Sequence, residues 1–227
     1  MERRGAADFA FWGGCALLTL AFATGVVQSL RTRHRIPGID PLDSMDDARS
    51  RARAGDVTAS LVQYRVASRL SFGNVRAFEE YADALGRSGD LAGELEARMR
   101  ASAEWPRSAR THTGLGLAYL RNRRLDEALA SFAVALRLDP TDAAAYAGRG
   151  DALREEGRLP EAVEAYAIAL HFAPREAGLH NKLGIAFALQ GRRDEAAAQF
   201  EEAMRLDPTT AAAENLAKLR AAGGEVP

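Results

Sequence analysis

Pro106, Pro140, Pro174 and Pro208 follow one another at a constant spacing of 34. A proline ends a helix because its ring removes an amide donor and clashes with the preceding turn. A break at a fixed interval therefore implies one helical unit copied in tandem. Other residues keep the same beat: Gly116, Gly150 and Gly184; Ala128, Ala162 and Ala196; Phe132, Tyr166 and Phe200; Ala135, Ala169 and Ala203; Tyr119, Leu153 and Phe187. Small residues let two helices approach, and large ones fill the space between them. Within a unit, Leu115, Ala118 and Tyr119 form one apolar stretch, and Ala128, Leu129, Phe132 and Leu136 form a second. Polar turns separate the two: Arg121-Asn-Arg-Arg, Glu155-Glu-Gly-Arg and Gln190-Gly-Arg-Arg. The spacing predicts helix, turn, helix and proline stop.

On these residues, units 109–142, 143–176 and 177–210 resemble tetratricopeptide repeats, a family with this same period. His112, Tyr146 and His180 fill the fourth position, where that family favours tryptophan. Leu115 and Leu183 match the seventh, and Arg149 departs from it. Asp139-Pro140 and Asp207-Pro208 close their units as the family does, and Ala173-Pro174 varies that ending. The resemblance implies an all-α, right-handed superhelical solenoid of antiparallel helix pairs. Two weaker units precede the regular ones. In 75–108, Phe78, Leu85, Gly89, Ala101 and Pro106 fit, whereas Glu94 and Arg98 occupy the alanine and aromatic slots. In 41–74, Ala48, Gly55, Tyr64 and Ala67 fit. Both are expected to form helix pairs with less regular packing. Residues 211–222 read as a capping helix whose polar side carries Glu214, Asn215, Lys218 and Arg220, and 223–227 as a tail. A solenoid needs such a cap because its last unit has no neighbour.

The N-terminus differs in kind. Phe9 to Leu30 carries no charge. At 1.5 Å per residue this run reaches about 33 Å, enough for a hydrocarbon core of about 30 Å. Arg3 and Arg4 flank one side, Arg31, Arg33, His34 and Arg35 the other. Residues 1–35 are thus expected to be a single transmembrane anchor, joined to the repeats by a linker at 36–40. Ala21-Phe22-Ala23 offers the alternative of a cleaved signal peptide and a secreted or periplasmic product. The basic flanks lean slightly toward a cytoplasmic repeat domain, with an uncleaved signal-anchor that places the repeats outside the cytoplasm as the alternative. Abundant alanine and arginine with two lysines points to a bacterial source, and so to an inner membrane.

Residues 1–35 carry five arginines against Glu2 and Asp8, so the remainder of a chain of net charge −1 is mildly acidic. That balance argues against a nucleic-acid partner. The lone Cys15 excludes an intramolecular disulfide. His112 and His180 share one slot in units two apart, too far to share an ion, and are expected to pack between the helices of their own units. His171 is expected to be exposed. Gly148-Arg-Gly-Asp151 falls inside a first helix, not after a strand, so it makes no phosphate loop. No catalytic, cofactor or metal site is expected.

The resemblance implies that the first helices line a concave groove. Positions two, five, nine and twelve of a unit make one helical stripe. They give Arg110, Thr113, Leu117 and Leu120 in the first regular unit. Ala147, Asp151 and Arg154 follow with Ala144, then Asn181, Ile185 and Ala188 with Gly178; Lys182 lies beside them. Apolar positions interspersed with charges suit a protein or peptide partner. The Lys and Asn clamp by which some of these repeats hold chaperone tails is not expected, since Thr113, Leu117 and Gly148 stand in its places and only Asn181 and Lys182 suggest it. The expected function is a membrane-anchored adaptor or scaffold in assembly or quality control of an envelope complex. The alternative is a permanent subunit of a membrane complex, packed through Gly13, Gly14 and Gly25 of the span.

Overall fold

The computed structural model describes residues 41–70 and 75–221. The expected membrane span, the linker and the tail lie outside the described residues. Among the described residues, no helix is long and apolar enough to cross a membrane. What is described is all α-helix, eleven helices falling into two compact units divided between Asn74 and Val75. The first unit holds α1 (Pro41–Arg53) and α2 (Val57–Leu70). They bury Met45, Ala48, Tyr64 and Ala67.

The second unit holds α3 (Val75–Ser88), α4 (Leu91–Glu104), α5 (Ala109–Arg121) and α6 (Leu125–Leu138). Then follow α7 (Ala143–Glu155), α8 (Leu159–Phe172), α9 (Ala177–Leu189), α10 (Arg193–Leu206) and α11 (Ala212–Ala221). Each helix packs on the next. In addition α3 touches α5, α5 touches α7, and α9 touches α11, so the first helices of successive pairs adjoin.

One backbone feature is common to all five pairs. The turn between the two helices contains a left-handed residue, at Gly55 (φ 82°), Gly89 (φ 85°), Arg123 (φ 60°), Gly157 (φ 78°) and Gly191 (φ 74°). These five keep the spacing of the prolines, so the irregular pairs share the register of the regular ones. The residue after it starts the second helix in one of two ways. Asp56 and Asp90 accept a hydrogen bond from the amide three residues on, Ala59 at 3.1 Å and Gly93 at 2.9 Å, which satisfies an otherwise orphaned donor. Arg124, Arg158 and Arg192 make no such bond. Instead each pairs with the glutamate three residues on, Glu127 at 2.9 Å, Glu161 at 2.8 Å and Glu195 at 2.6 Å. A carboxylate then sits in the first turn of the helix, where the macrodipole favours it.

The core is a ladder of rings on glycines. Phe132, Tyr166 and Phe200 are at most 1% exposed, and the alanines one turn to either side are fully buried. A methyl group on Gly116, Gly150 or Gly184 would lie 2.6, 2.6 or 2.7 Å from the ring of the same pair, closer than atoms can pack. Phe132 also lies against Gly148 of the next pair, so one ring locks two pairs together. In α3–α5 the aromatic slot holds Arg98 against Gly114, and the alanine slot one turn earlier holds Glu94 against Gly86. The pair still forms two regular 14-residue helices, so the irregularity expected there is chemical and leaves the backbone intact.

Two substitutions test this account by thermal denaturation. Gly150→Ala should destabilise the protein by about 2 kcal/mol through overpacking, although alanine is the better helix former by about 1 kcal/mol. At position 123 stability should rank Gly above Arg above Val, because a left-handed residue costs an L side chain about 1 kcal/mol and a branched one more.

Candidate functional site on the first-helix stripe

The stripe residues expected to face a partner fall into two groups. The polar ones tie neighbouring pairs together. Arg110 on α5 reaches back to Glu79 on α3, with Nε 2.8 Å from Oε2. Thr113 is buried and donates to Asp142, the N-cap of α7, at 2.6 Å. Lys182 on α9 pairs with Asp151 on α7 at 2.5 Å. Asn181 accepts from Asn215 on α11 at 2.8 Å, so Asn215 turns inward rather than standing on the polar face of the cap. Each of these steps of the stack thus has a polar tie that uses position five, six or nine of a unit. The Tyr166 hydroxyl donates to the other oxygen of Asp151 at 2.7 Å. Arg154 stands beside the same hydroxyl. Burial, and then the Asp151 carboxylate, push the Tyr166 hydroxyl well above its ordinary value, so it remains a donor.

The apolar ones are only partly available. Ala147 is 9% exposed and packs with Ala169 and Leu179. Leu117 and Leu120 are half-buried against the Phe132 cluster, and Ile185 and Ala188 against the Phe200 cluster. Leu189 is 56% exposed and lies one turn beyond Ile185. It belongs to the same face but to position thirteen, one place past the stripe chosen from the sequence.

The fourth-position histidines do more than pack between helices. His112 Nε2 lies 3.0 Å from the Pro106 carbonyl, and His180 Nε2 3.1 Å from that of Pro174. A carbonyl only accepts, so Nε2 carries the proton in both. The other ring nitrogen of His180 faces the side-chain amide of Gln199 on α10 at 2.8 Å. Each imidazole thereby pins its own first helix to the preceding proline turn. Tyr146, in the same slot, stacks on Phe172 with centroids 6.0 Å apart. His171 is exposed. Among the described residues, no group of three or more histidine, cysteine or acidic side chains is arranged to hold a metal ion.

A second constellation escaped the sequence reading. Glu79, Glu94 and Arg98 are all buried between α3, α4 and α5. Arg98 pairs with Asp83, and Arg121 clamps Glu94, with Nε 2.9 Å from Oε2. Glu79 Oε1 and Arg98 Nε are buried with no hydrogen-bond partner. Burial pushes the Glu79 carboxyl above its ordinary value, against the pull of Arg110 and Arg98. Glu79 and Asp83 occupy positions five and nine of unit 75–108. Extending the stripe rule one unit toward the N-terminus would have found both.

Paired antiparallel helices that recur at the interval of the prolines, stacked first helix on first helix, define a helical-repeat protein. Three overlapping matches to the tetratricopeptide repeat, at 97–143, 113–177 and 148–211, together span half the chain. The chain belongs to the tetratricopeptide repeat family. No curated protein sequence matches it. Among solved structures it is similar to TTC0263, a thermophilic tetratricopeptide protein of Thermus thermophilus. There the identity is 21%, the coverage 80% of this chain and 100% of that one, and the TM-score 0.69. It is also similar to MamA (41-end) from Desulfovibrio magneticus RS-1, at 20% identity, 75% and 96% coverage and a TM-score of 0.62. A chain of the APC/C hetero-tetramer Cut9–Hcn1 matches at 19% identity, with 79% of this chain, 36% of that one and a TM-score of 0.67. At these identities the likeness is one of fold.

The strain at Glu79 has a pH signature. Its folded-state value lies above the unfolded one, so the native chain holds that proton more tightly. Ionised Glu79 therefore costs stability above its folded value, and the cost fades as pH falls through that value. Glu79→Gln should raise the melting temperature at pH 7.5, with the gain shrinking as the pH approaches 4. A pH-independent gain, or a loss, would contradict the account.

Proposed function

We propose that the protein is a membrane-tethered adaptor that binds a partner protein or peptide along its first-helix stripe. Leu189 carries the reading: a large apolar side chain, 56% exposed, continues a face on which Ile185 and Ala188 are already half-covered. Covering it with a partner side chain would remove apolar area from water at about 25 cal/mol per Å². Leu117 and Leu120 are further apolar positions of the same stripe, and Arg154 and Lys182 supply charge that sets register. In this reading the stripe lines the inner curve of a right-handed superhelix. Residues 9–30 hold the domain at a bacterial inner membrane, on its cytoplasmic side. Tethering raises the effective concentration of the domain near other membrane proteins without adding a contact. The process served is assembly or quality control of an envelope complex.

The test uses a photocrosslinking residue at Leu189, with Leu138 on α6 as a comparison. Leu138 is 41% exposed but belongs to a second helix. In intact membranes Leu189 should give a discrete adduct and Leu138 none. Removal of residues 1–35 should lower the yield. Equal adducts from both positions would reject the stripe, and a yield indifferent to the truncation would reject the tether.

A further inference from the structure

The same stripe begins, at α3, with a carboxylate in a condition that calls for an additional donor. Glu79 is 4% exposed, and its Oε1 has no hydrogen-bond partner. Its other oxygen is held by Nε of Arg110, whose side chain is 79% exposed. Asp83 lies one turn along the same face of α3, paired with the buried Arg98. The Arg76, Arg98 and Arg110 guanidinium groups and the Asp83 carboxylate are the charges that act on Glu79.

An unsatisfied buried acceptor costs about 1–3 kcal/mol. An ion pair with so exposed a side chain is screened and recovers little of that. Arg110 is thus a loose cover on a carboxylate that water does not reach. The next turns of α5 on this face carry Leu117 and Leu120, an apolar run beside the charge.

We propose that Glu79, with Asp83 beside it, is a cation subsite that accepts an arginine or lysine side chain of the bound partner, which displaces Arg110. A guanidinium that meets the carboxylate with two parallel N–H groups would engage both oxygens, where Arg110 Nε holds only Oε2. Arg110 swings into solvent, where it is already mostly hydrated, and loses little. Burial leaves the Glu79 carboxylate poorly hydrated, so its attraction for a cation that reaches it is less screened than at the surface. The partner therefore carries a basic residue followed by apolar ones. This inference rests on the groove reading and adds the chemistry of one end of the occupant.

The test is an amide NMR titration of the full chain in detergent micelles. The probes are acetyl-Arg-Leu-Leu-amide and its citrulline counterpart, which has the same shape without the charge. The arginine probe should give saturable shifts in α3 and α5, and the citrulline probe should give none. Glu79→Gln should abolish the shifts. Arg110→Ala should tighten binding by roughly fivefold, since it removes a competitor whose pair is worth under about 1 kcal/mol. Unchanged or weaker binding in Arg110→Ala, or equal shifts with citrulline, would overturn the subsite. So would the absence of shifts with either probe. If the subsite fails while Leu189 still crosslinks, the groove stands without it. Loss of the Leu189 adduct with the arginine shifts intact would do the reverse.

Discussion

An aromatic ring pressed onto a glycine of the facing helix is the contact on which the stack depends. Phe132, Tyr166 and Phe200 can be buried only because Gly116, Gly150 and Gly184 have no side chain to meet them. The glycines weaken their own helices, since each loses more backbone entropy than any other residue. That loss is recovered where the ring fills the space between helices without a void. Phe132 shows why pairs stack rather than separate: it meets Gly148 of the following pair as well as Gly116 of its own. A solenoid of this kind is stabilised by nearest-neighbour contacts alone, so a ring shared by two pairs is what couples them.

Where the ring is replaced, the geometry survives and the chemistry changes. Arg98 takes the aromatic slot of the α3–α4 pair and lies against Gly114 much as Phe132 lies against Gly148. Its guanidinium meets Asp83, and two repeats later Tyr166 meets Asp151, which holds the same position nine. In the pair between them that position is Leu117 and the ring is Phe132, with no polar atom to satisfy. A polar group in the slot and an acid at position nine thus occur together, because the slot is buried and a buried donor needs an acceptor. Glu79 and Arg98 each retain one unmatched atom. Natural folds tend to keep such violations where they bind something.

The first-helix face serves two purposes at once. Arg110, Thr113, Asp151, Asn181 and Lys182 join successive pairs, while Leu117, Leu120, Ile185, Ala188 and Leu189 leave an apolar floor beside those ties. A partner lying on that floor would contact residues that also set the spacing of the stack. Binding and the geometry of the array are then linked, in the proposed reading, through the same side chains.

The fixed rhythm of proline, glycine and aromatic residues was enough to place the helix pairs, because helix stops and ring-on-glycine packing are local or near-neighbour demands written at single positions. Gly55 and Gly89 carried that register into the irregular pairs, together with the buried Ala67 and Ala101, because the left-handed turn and the closest helix contact keep the beat where other side chains diverge. The stripe was legible as a face, by helical spacing, yet not as a set of partners. Which neighbour Arg110, Thr113 or Asn181 would meet depends on how first helices adjoin across repeats, and the same holds for Glu79 under Arg110. The carbonyls that receive His112 and His180 likewise depend on how each proline turn folds back on the helix after it. The contacts of Arg110, Thr113 and Asn181 join residues about thirty apart in the chain and follow from the stacking of whole helices, whereas those of the histidines span six residues and follow from the shape of the proline turn. One chain's periodicity sets what each unit is. Only the packed array decides which polar atoms are satisfied, which are left wanting, and which apolar side chains remain in water.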